Sequence, residues 1–384
     1  MKNQIKKTMK IKIIYILSVA VLGISCSSPK QKIDQNGCIT LNYKNIKKQK
    51  ASHYFSTNHL KFIQLESQGI YFLSDMFEIQ YFDGNYFTFD FTKQEFLRFN
   101  NDGKLLNSIS RSGQAEAEFS NAGRFTIDHN NRTLEILSDL DKYIKRYDFD
   151  GQYLEKQAVP VRCSGFTKGQ HNDYWFYMVI DGSGEHAYRL HYADSNNLVQ
   201  PHLPLTSKLL GVMEQNFFKS DNSILFRESF FPNIYRLEPN EVIPIIRIDF
   251  GKDAVTEATF EEETDPFAFF DRISSMGFHT TTGAVEGNGV LAISCLYQKG
   301  ESNSRSGIFY DYHEESATLV EFSGDNLGTL LGNSKLVRID NANNIYFITD
   351  ALSFREYLSV QDIASTGKLS DDGNHVIFSF QIKR

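Results

Sequence analysis

One stretch of this chain occurs twice. Phe96-Leu97-Arg98-Phe99-Asn100-Asn101-Asp102-Gly103-Lys104-Leu105-Leu106 returns 48 residues later as Ile144-Lys145-Arg146-Tyr147-Asp148-Phe149-Asp150-Gly151-Gln152-Tyr153-Leu154. Each copy reads as a strand, an Asp-Gly turn and a second strand, because Asp-Gly supplies the positive backbone angles that a tight hairpin needs. Upstream of each lies another pair of short strands. These are Phe77 to Tyr81 with Tyr86 to Asp90, and Arg124 to Asp128 with Thr133 to Ser138, split by Asp83-Gly84-Asn85 and His129-Asn130-Asn131. Four strands in about 45 residues make the unit of a radial repeat, one blade of a propeller.

Weaker echoes of the third strand follow at His186–Tyr192, Asn233–Glu238, Ile308–Tyr312 and Arg355–Val360. Second strands before them are expected at Tyr174–Val179, Ser223–Phe226, Val290–Leu296 and Asn344–Thr349. The total is six units. A ring must close, since an open last blade leaves an unpaired edge, and Leu60–Leu65 and His375–Ile382 alternate in strand fashion and are the two segments that can close it. Phe and Tyr number 32 and 19 against one Trp, a bias that suits half-buried pleated surfaces. The expected fold is all-β: a six-bladed β-propeller of four-stranded antiparallel blades, with a β-sandwich pair or β-solenoid as the alternatives.

The first residues carry an address. Lys2, Lys6, Lys7, Lys10 and Lys12 precede an apolar run from Ile13 to Ile24, broken only by Ser18 and Gly23. That run is too short for a bilayer core, which needs about 20 residues, and has the layout of a signal peptide. It ends Leu22-Gly23-Ile24-Ser25-Cys26, similar to a lipobox, with Leu four residues before the cysteine rather than three. The expected organisation is therefore a signal peptide over 1–25, a lipid anchor at Cys26 with a polar tether to residue 50, and the propeller over 51–384. An insertion of about 252–283 stretches the fifth unit, acidic at Glu261–Glu263 and aromatic at Phe267, Phe269 and Phe270.

Removing the leader takes five of the 40 Lys and Arg and none of the 47 Asp and Glu, leaving 35 against 47, a balance of −12. No nucleic-acid partner is expected of such a chain. The one basic cluster, Lys44, Lys47, Lys48 and Lys50, falls in the expected tether. Beyond Cys26 there are three cysteines, Cys38, Cys163 and Cys295; widely spaced and odd in number, they allow at most one disulfide and spell no zinc motif.

The first two units carry a resemblance. With the strand Asn85–Asp90, the turn Phe99–Gly103 and the glycine-bearing loop after it, the chain resembles the six-bladed β-propeller lipoproteins common in Bacteroidetes, akin to NHL-repeat and TolB-like propellers. The likeness extends over nearly all of the mature chain. That loop often reads glycine-x-glycine-proline-glycine-glutamate-phenylalanine in the family; here it is Ser112-Gly113-Gln114-Ala115-Glu116-Ala117-Glu118-Phe119, which keeps Gly113, Glu118 and Phe119. The resemblance implies a cell-envelope lipoprotein with no generally assigned reaction.

No nucleophile elbow, H-E-x-x-H, P-loop or dinucleotide fingerprint occurs, so no cofactor is expected. Arg98, Arg146, Arg189 and Arg236 recur at one position of four third strands, where a solvated or cross-strand paired role outweighs an anion-binding ring. His186 and His191, with His171 or His202, are spaced for opposite faces of a strand, so no metal is expected there. Asp83, Asp102, Asp148, Asp150, Asp181 and Asp194 sit in turns, where carboxylates satisfy backbone amides. Arg111, Glu116 and Glu118, in the loop joining the first two blades, are the expected ligand contacts. The expected function is an outer-membrane lipoprotein, held to the membrane by acylated Cys26 on the periplasmic face. It presents a platform for a glycan, peptide or envelope protein. A lyase or hydrolase with its site at the channel mouth and a structural subunit of an envelope complex are the alternatives.

Overall fold

Six sheets account for nearly all of the strands, and each of the expected blades is one of them. The computed structural model describes residues 32–383 except 36, 68–72, 75–76, 111–112, 114, 120–121, 139–141, 179–187, 206–213, 221–222, 262–264, 362–368 and 370–372. The leader, Cys26, Arg111, Asp181 and His186 lie outside the described residues.

Blade 1 is Phe77–Phe82, Asn85–Asp90, Glu95–Asn100 and Leu105–Ile109; blade 2 is Ala122–Asp128, Thr133–Ser138, Tyr143–Asp148 and Tyr153–Ala158. Blade 3 is Gly165–Lys168, Tyr174–Tyr177, Tyr188–Ala193 and Val199–Pro204, and blade 4 is Phe217–Lys219, Ile224–Arg227, Asn233–Glu238 and Glu241–Asp249. Blade 5 is Phe278–Gly287, Val290–Lys299, Ser302–Asp311 and Ser316–Glu321. In each the four strands pair antiparallel in chain order. Second strands are sandwiched between neighbouring blades, so every residue of Asn85–Asp90 and of Thr133–Ser138 is buried, whereas the outer strand Tyr153–Ala158 is largely wet. Blades seal face to face through aromatic rings: Phe96 of blade 1 meets Phe125 of blade 2 edge-on, with ring centres 5.3 Å apart.

Blade 6 is made from both ends of the chain. Its order is Lys335–Ile339, Asn344–Thr349, Val376–Ile382 and then Phe55–Gln64, the last two paired antiparallel from Val376↔Gln64 to Ile382↔Phe55. The two expected closing segments thus close the ring on each other. The third strand expected at Arg355–Val360 is instead a helix, Ala351–Val360, and Val376–Ile382 takes its place. The reason is local: Asp350 caps the helix by accepting from the Ser353 amide at 2.8 Å. Ala351, Phe354, Tyr357 and Leu358 recur at helical spacing and are buried.

The polar tether expected up to residue 50 is also corrected. Ile39–Asn42 lies parallel to Glu241–Asp249 as a fifth strand of blade 4, and Lys32–Ile33 adds a sixth. Lys47–Lys50 lies parallel to Ser316–Glu321 as a fifth strand of blade 5. Leu41, Ile46 and Ala51 bury apolar groups that a tether would leave in water. The lysines then stand on an exposed sheet edge, where charge opposes pairing with another chain; Lys48 meets Glu321 at 3.2 Å.

The repeated turn departs from the expected tight hairpin with positive angles at both Asp and Gly. Gly103 and Gly151 have positive φ, +81° and +84°, while Asp102 and Asp150 do not. Asn100 and Asp148 accept from the amides two and four residues ahead. The same turn recurs with Asp194 and left-handed Asn197 and with Asp340 and left-handed Asn343. It is an Asx-capped turn with one left-handed residue at its fourth position.

The insertion folds as two helices, Glu257–Glu261 and Pro266–Met276. Phe269 and Ile273 join Val255, Phe260 and Phe278 in an aromatic cluster, while Phe267 (81%) and Met276 (65%) stay exposed.

Candidate functional site: the central channel

The first strands of the six blades contact one another in a closed ring and line the central channel. Among the described residues, cavities of about 230, 120 and 10 Å³ open along it, and Gln215, just ahead of the first strand of blade 4, borders all three.

The largest runs from the channel into the seam between blades 5 and 6. Blade 5 provides Thr282, Gly283, Ser294, Cys295, Arg305 and Ser306, blade 6 Ser334, Lys335 and Leu336, and the flanking blades 1 and 4 add Phe77 and Phe218. A β-bulge makes this wall. Thr281 pairs with Cys295 and Gly283 with Ser294, so Thr282 is the extra residue, turned into the cavity. Gly283 packs beside the Phe218 ring, which an added Cβ would meet at 3.7 Å, an ordinary contact distance. Among the described residues, hydroxyls of Thr282, Ser294, Ser306 and Ser334, two cations and no carboxylate line the space. Lys335 stands 3.8 Å above the Phe77 ring and donates to the Phe77 carbonyl at 3.3 Å. Ser306 shares a hydrogen bond of 2.9 Å with Tyr43, and Ser334 donates to the Leu330 carbonyl at 2.7 Å. Burial pushes the Cys295 thiol up to about 12, so it is no nucleophile at neutral pH.

The second cavity carries Arg338, held between the rings of Tyr81 and Tyr346 at 3.8 Å from each. Its two carboxylates are engaged: Asp340 accepts from its own turn and from Tyr346, and Glu286 accepts from Arg236. Lys219 donates to the Ile127 and Lys168 carbonyls at 3.0 Å each, and burial brings its amine down to about 8.

The third cavity meets a buried ionic wall. Arg227, without exposed surface, holds Glu214 at 2.7 Å, and Glu214 also accepts from the Ser229 amide at 2.6 Å. Arg124 donates to the Glu214 carbonyl at 2.8 Å and lies 3.9 Å from Glu78. Arg189 meets Glu228 at 3.3 Å and stacks over Phe231. Burial raises the Glu228 carboxyl to about 7 against the pull of Arg189.

The four recurrent arginines are paired, and their partners bridge blades. Arg98 donates to the Phe149 carbonyl of blade 2 at 2.9 Å, Arg146 to Tyr174 of blade 3 at 2.8 Å, Arg189 meets Glu228 of blade 4 and Arg236 meets Glu286 of blade 5. They form interblade ties rather than a ligand ring. His202 pairs with Leu190 in register and His191 with Pro201, so the two histidines face opposite sides of their sheet, and His171 lies in a hairpin at the end of the first strand. Cys38, Cys163 and Cys295 are buried.

Of the expected ligand contacts, Glu118 accepts from the Ala115 amide at 3.0 Å and so braces its own loop. Glu116 is exposed and its charge acts on Tyr153 of the outermost strand of blade 2. Neither borders the three cavities. Thr282, Arg305 and Lys335 were not legible as a set in the sequence, being single polar residues in separate strands that only the ring brings together. The one local signal was Thr280-Thr281-Thr282-Gly283, a strand stretch whose glycine marks a bulge.

Comparison with solved structures gives the same architecture. A protein of Bacteroides fragilis described as exported superposes with a TM-score of 0.70 at 14% identity, covering 88% of this chain and 99% of its own. A member of the duf4221 family from Bacteroides vulgatus gives 0.54 at 7%, covering 85% and 97%. A search of functionally curated proteins found no match. The sequence profile of DUF4934, described as a domain of unknown function, matches residues 37–381, and the chain is a member of that family, whose fold here is the six-bladed propeller.

Proposed function

We propose that this chain is an exported envelope protein, tethered by an acylated Cys26, that binds a ligand in its central channel. The observation that carries the binding role is the acid-free cavity of about 230 Å³ at the blade 5–6 seam, walled by four blades and floored by a bulge that aims Thr282 inward. Rigid strands on several blades hold such a wall in place without a ligand, as a preformed site requires. The leader and the likeness to an exported Bacteroides protein support the location. The test compares wild-type protein with Thr282→Trp, which fills the cavity, after purification of both from the native envelope. Wild type should release a small molecule on denaturation, seen by mass spectrometry, and Thr282→Trp should not. Equal release from both sinks the binding reading. Retention of Cys26→Ser in the membrane fraction sinks the anchor.

A second reading, a subunit of an envelope complex, is favoured by Phe267 and Met276, exposed on one short helix. Phe267→Ser with Met276→Ser should then shrink the complex on native gels without lowering the melting temperature.

A further inference from the structure

Resting on that binding reading, we infer that the seam cavity takes a small organic anion, an apolar body ending in a carboxylate or phosphate. The cavity wall sorts its groups by chemistry. Its polar side is made only of donors or donor-capable groups: Arg305, Lys335, four hydroxyls and the Gln215 amide. Its apolar side is Phe77, Phe218, Phe322, Leu331 and Leu336.

Charge decides the ligand's polarity. Among the described residues two cations and no carboxylate face the space, so a cationic guest meets repulsion there and an anion meets attraction. The nearest acid in strand register, Glu321 opposite Ser306, pairs with Lys48 at 3.2 Å and does not border the cavity. Among the described residues the Arg305 guanidinium has no hydrogen-bond or ion-pair partner, although it borders the cavity. A guanidinium is planar and offers paired N–H donors, the geometry that grips a carboxylate or phosphate in a forked way. Lys335 covers the Phe77 ring from 3.8 Å, so an aromatic or aliphatic body resting on Phe218, Phe322 and Leu336 carries its acidic end toward the two cations.

The test uses fluorine NMR on the chain from residue 27 onward with four probes on one ring: 4-fluorobenzoate, 4-fluorophenyl phosphate, 4-fluorobenzyl alcohol and 4-fluorobenzylamine. The two anions should broaden at concentrations at least about tenfold below the alcohol, and the amine should not bind. The stronger anion names the source, carboxylate or phosphate. Arg305→Gln should weaken the anions about tenfold or more, equal to about 1.4 kcal/mol, and leave the alcohol unchanged. Arg305 is exposed, so this variant keeps its fold, and Arg247→Gln, exposed on the fourth strand of blade 4 and bordering none of the three cavities, is the control that should change nothing. Equal binding of alcohol and benzoate, or anion binding untouched in Arg305→Gln, overturns the anionic ligand. The channel reading itself then still stands or falls on the Thr282→Trp comparison alone.

Discussion

Glu135 is the place where removing one charge should cost the most. It has no exposed surface and accepts from Arg146 Nε at 2.8 Å, Lys168 Nζ at 3.0 Å and the Tyr174 hydroxyl at 2.9 Å, joining blade 2 to blade 3. Glu135→Gln keeps the volume, so no cavity term enters. It strips the buried Lys168 and the partly exposed Arg146 of a shared counter-ion and turns an amide N–H toward donors. Breaking a buried pair costs about 3–5 kcal/mol. Here the lower end, about 3 kcal/mol, is expected because Lys168 keeps Asp128 at 2.8 Å and Arg146 keeps Glu155. Urea unfolding followed by the single, buried Trp175, next to Tyr174 in blade 3, reads this locally. Glu155→Gln is the reference: Glu155 is 59% exposed on the same arginine and should cost under about 1 kcal/mol. If Glu135→Gln also costs under about 1 kcal/mol, the cations find water or other partners, and the reasoning from burial is refuted.

Phe55→Ala should destabilise by about 3–5 kcal/mol, since Phe55 anchors the closing strand among Tyr54, Phe309, Phe347 and Phe380; differential scanning calorimetry checks it. Gly103→Ala should cost clearly more than Gly84→Ala, although both have positive φ. A Cβ at Gly103 would sit on the Gln64 backbone carbonyl and at Gly84 it meets open space, so equal denaturation midpoints would refute the contact argument. Acid titration of stability should show two opposite slopes. Burial alone would raise Asp128, but Lys168 and Asn131 hydrogen bonds bring it to about 2. Its contribution is therefore present above the ordinary value of 3.8 and lost as pH falls toward 2, and Asp128→Asn should flatten that limb. Glu228 is raised from 4.5 to about 7, so ionising it costs the fold. Stability should drop as pH rises from 4.5 through 7, and Glu228→Gln should remove that slope.

Where the sequence misled, local signals had lost to the expectation of a regular blade. Asp350 with Ala351, Phe354, Tyr357 and Leu358 spells a capped helix, yet an alternating reading of Arg355–Val360 as a strand fitted the repeat. Lys47–Lys50 reads as solvated chain because every side chain is polar, and it is solvated; what places it in a sheet is its backbone, each residue pairing with one of Ser316–Glu321 that lies 271 positions further on. Hydropathy carries no trace of such a pairing, since edge strands bury little.

The sequence alone determined the blade. Its turns are short-range chemistry, an Asn or Asp capping the amides ahead and a Gly or Asn in the left-handed region, and its strands follow from alternation and β-branched or aromatic residues. The number of blades and the segments that close the ring follow from counting those units. Tertiary structure alone decided the channel, because neighbours there come from blades far apart in the chain: Lys335 bonds the carbonyl of Phe77 across 258 positions. It also decided that the recurrent arginines tie blades together and that a bulge aims Thr282 into an acid-free space. Spacing along a strand sets which face a side chain takes, and only ring closure sets what that face meets.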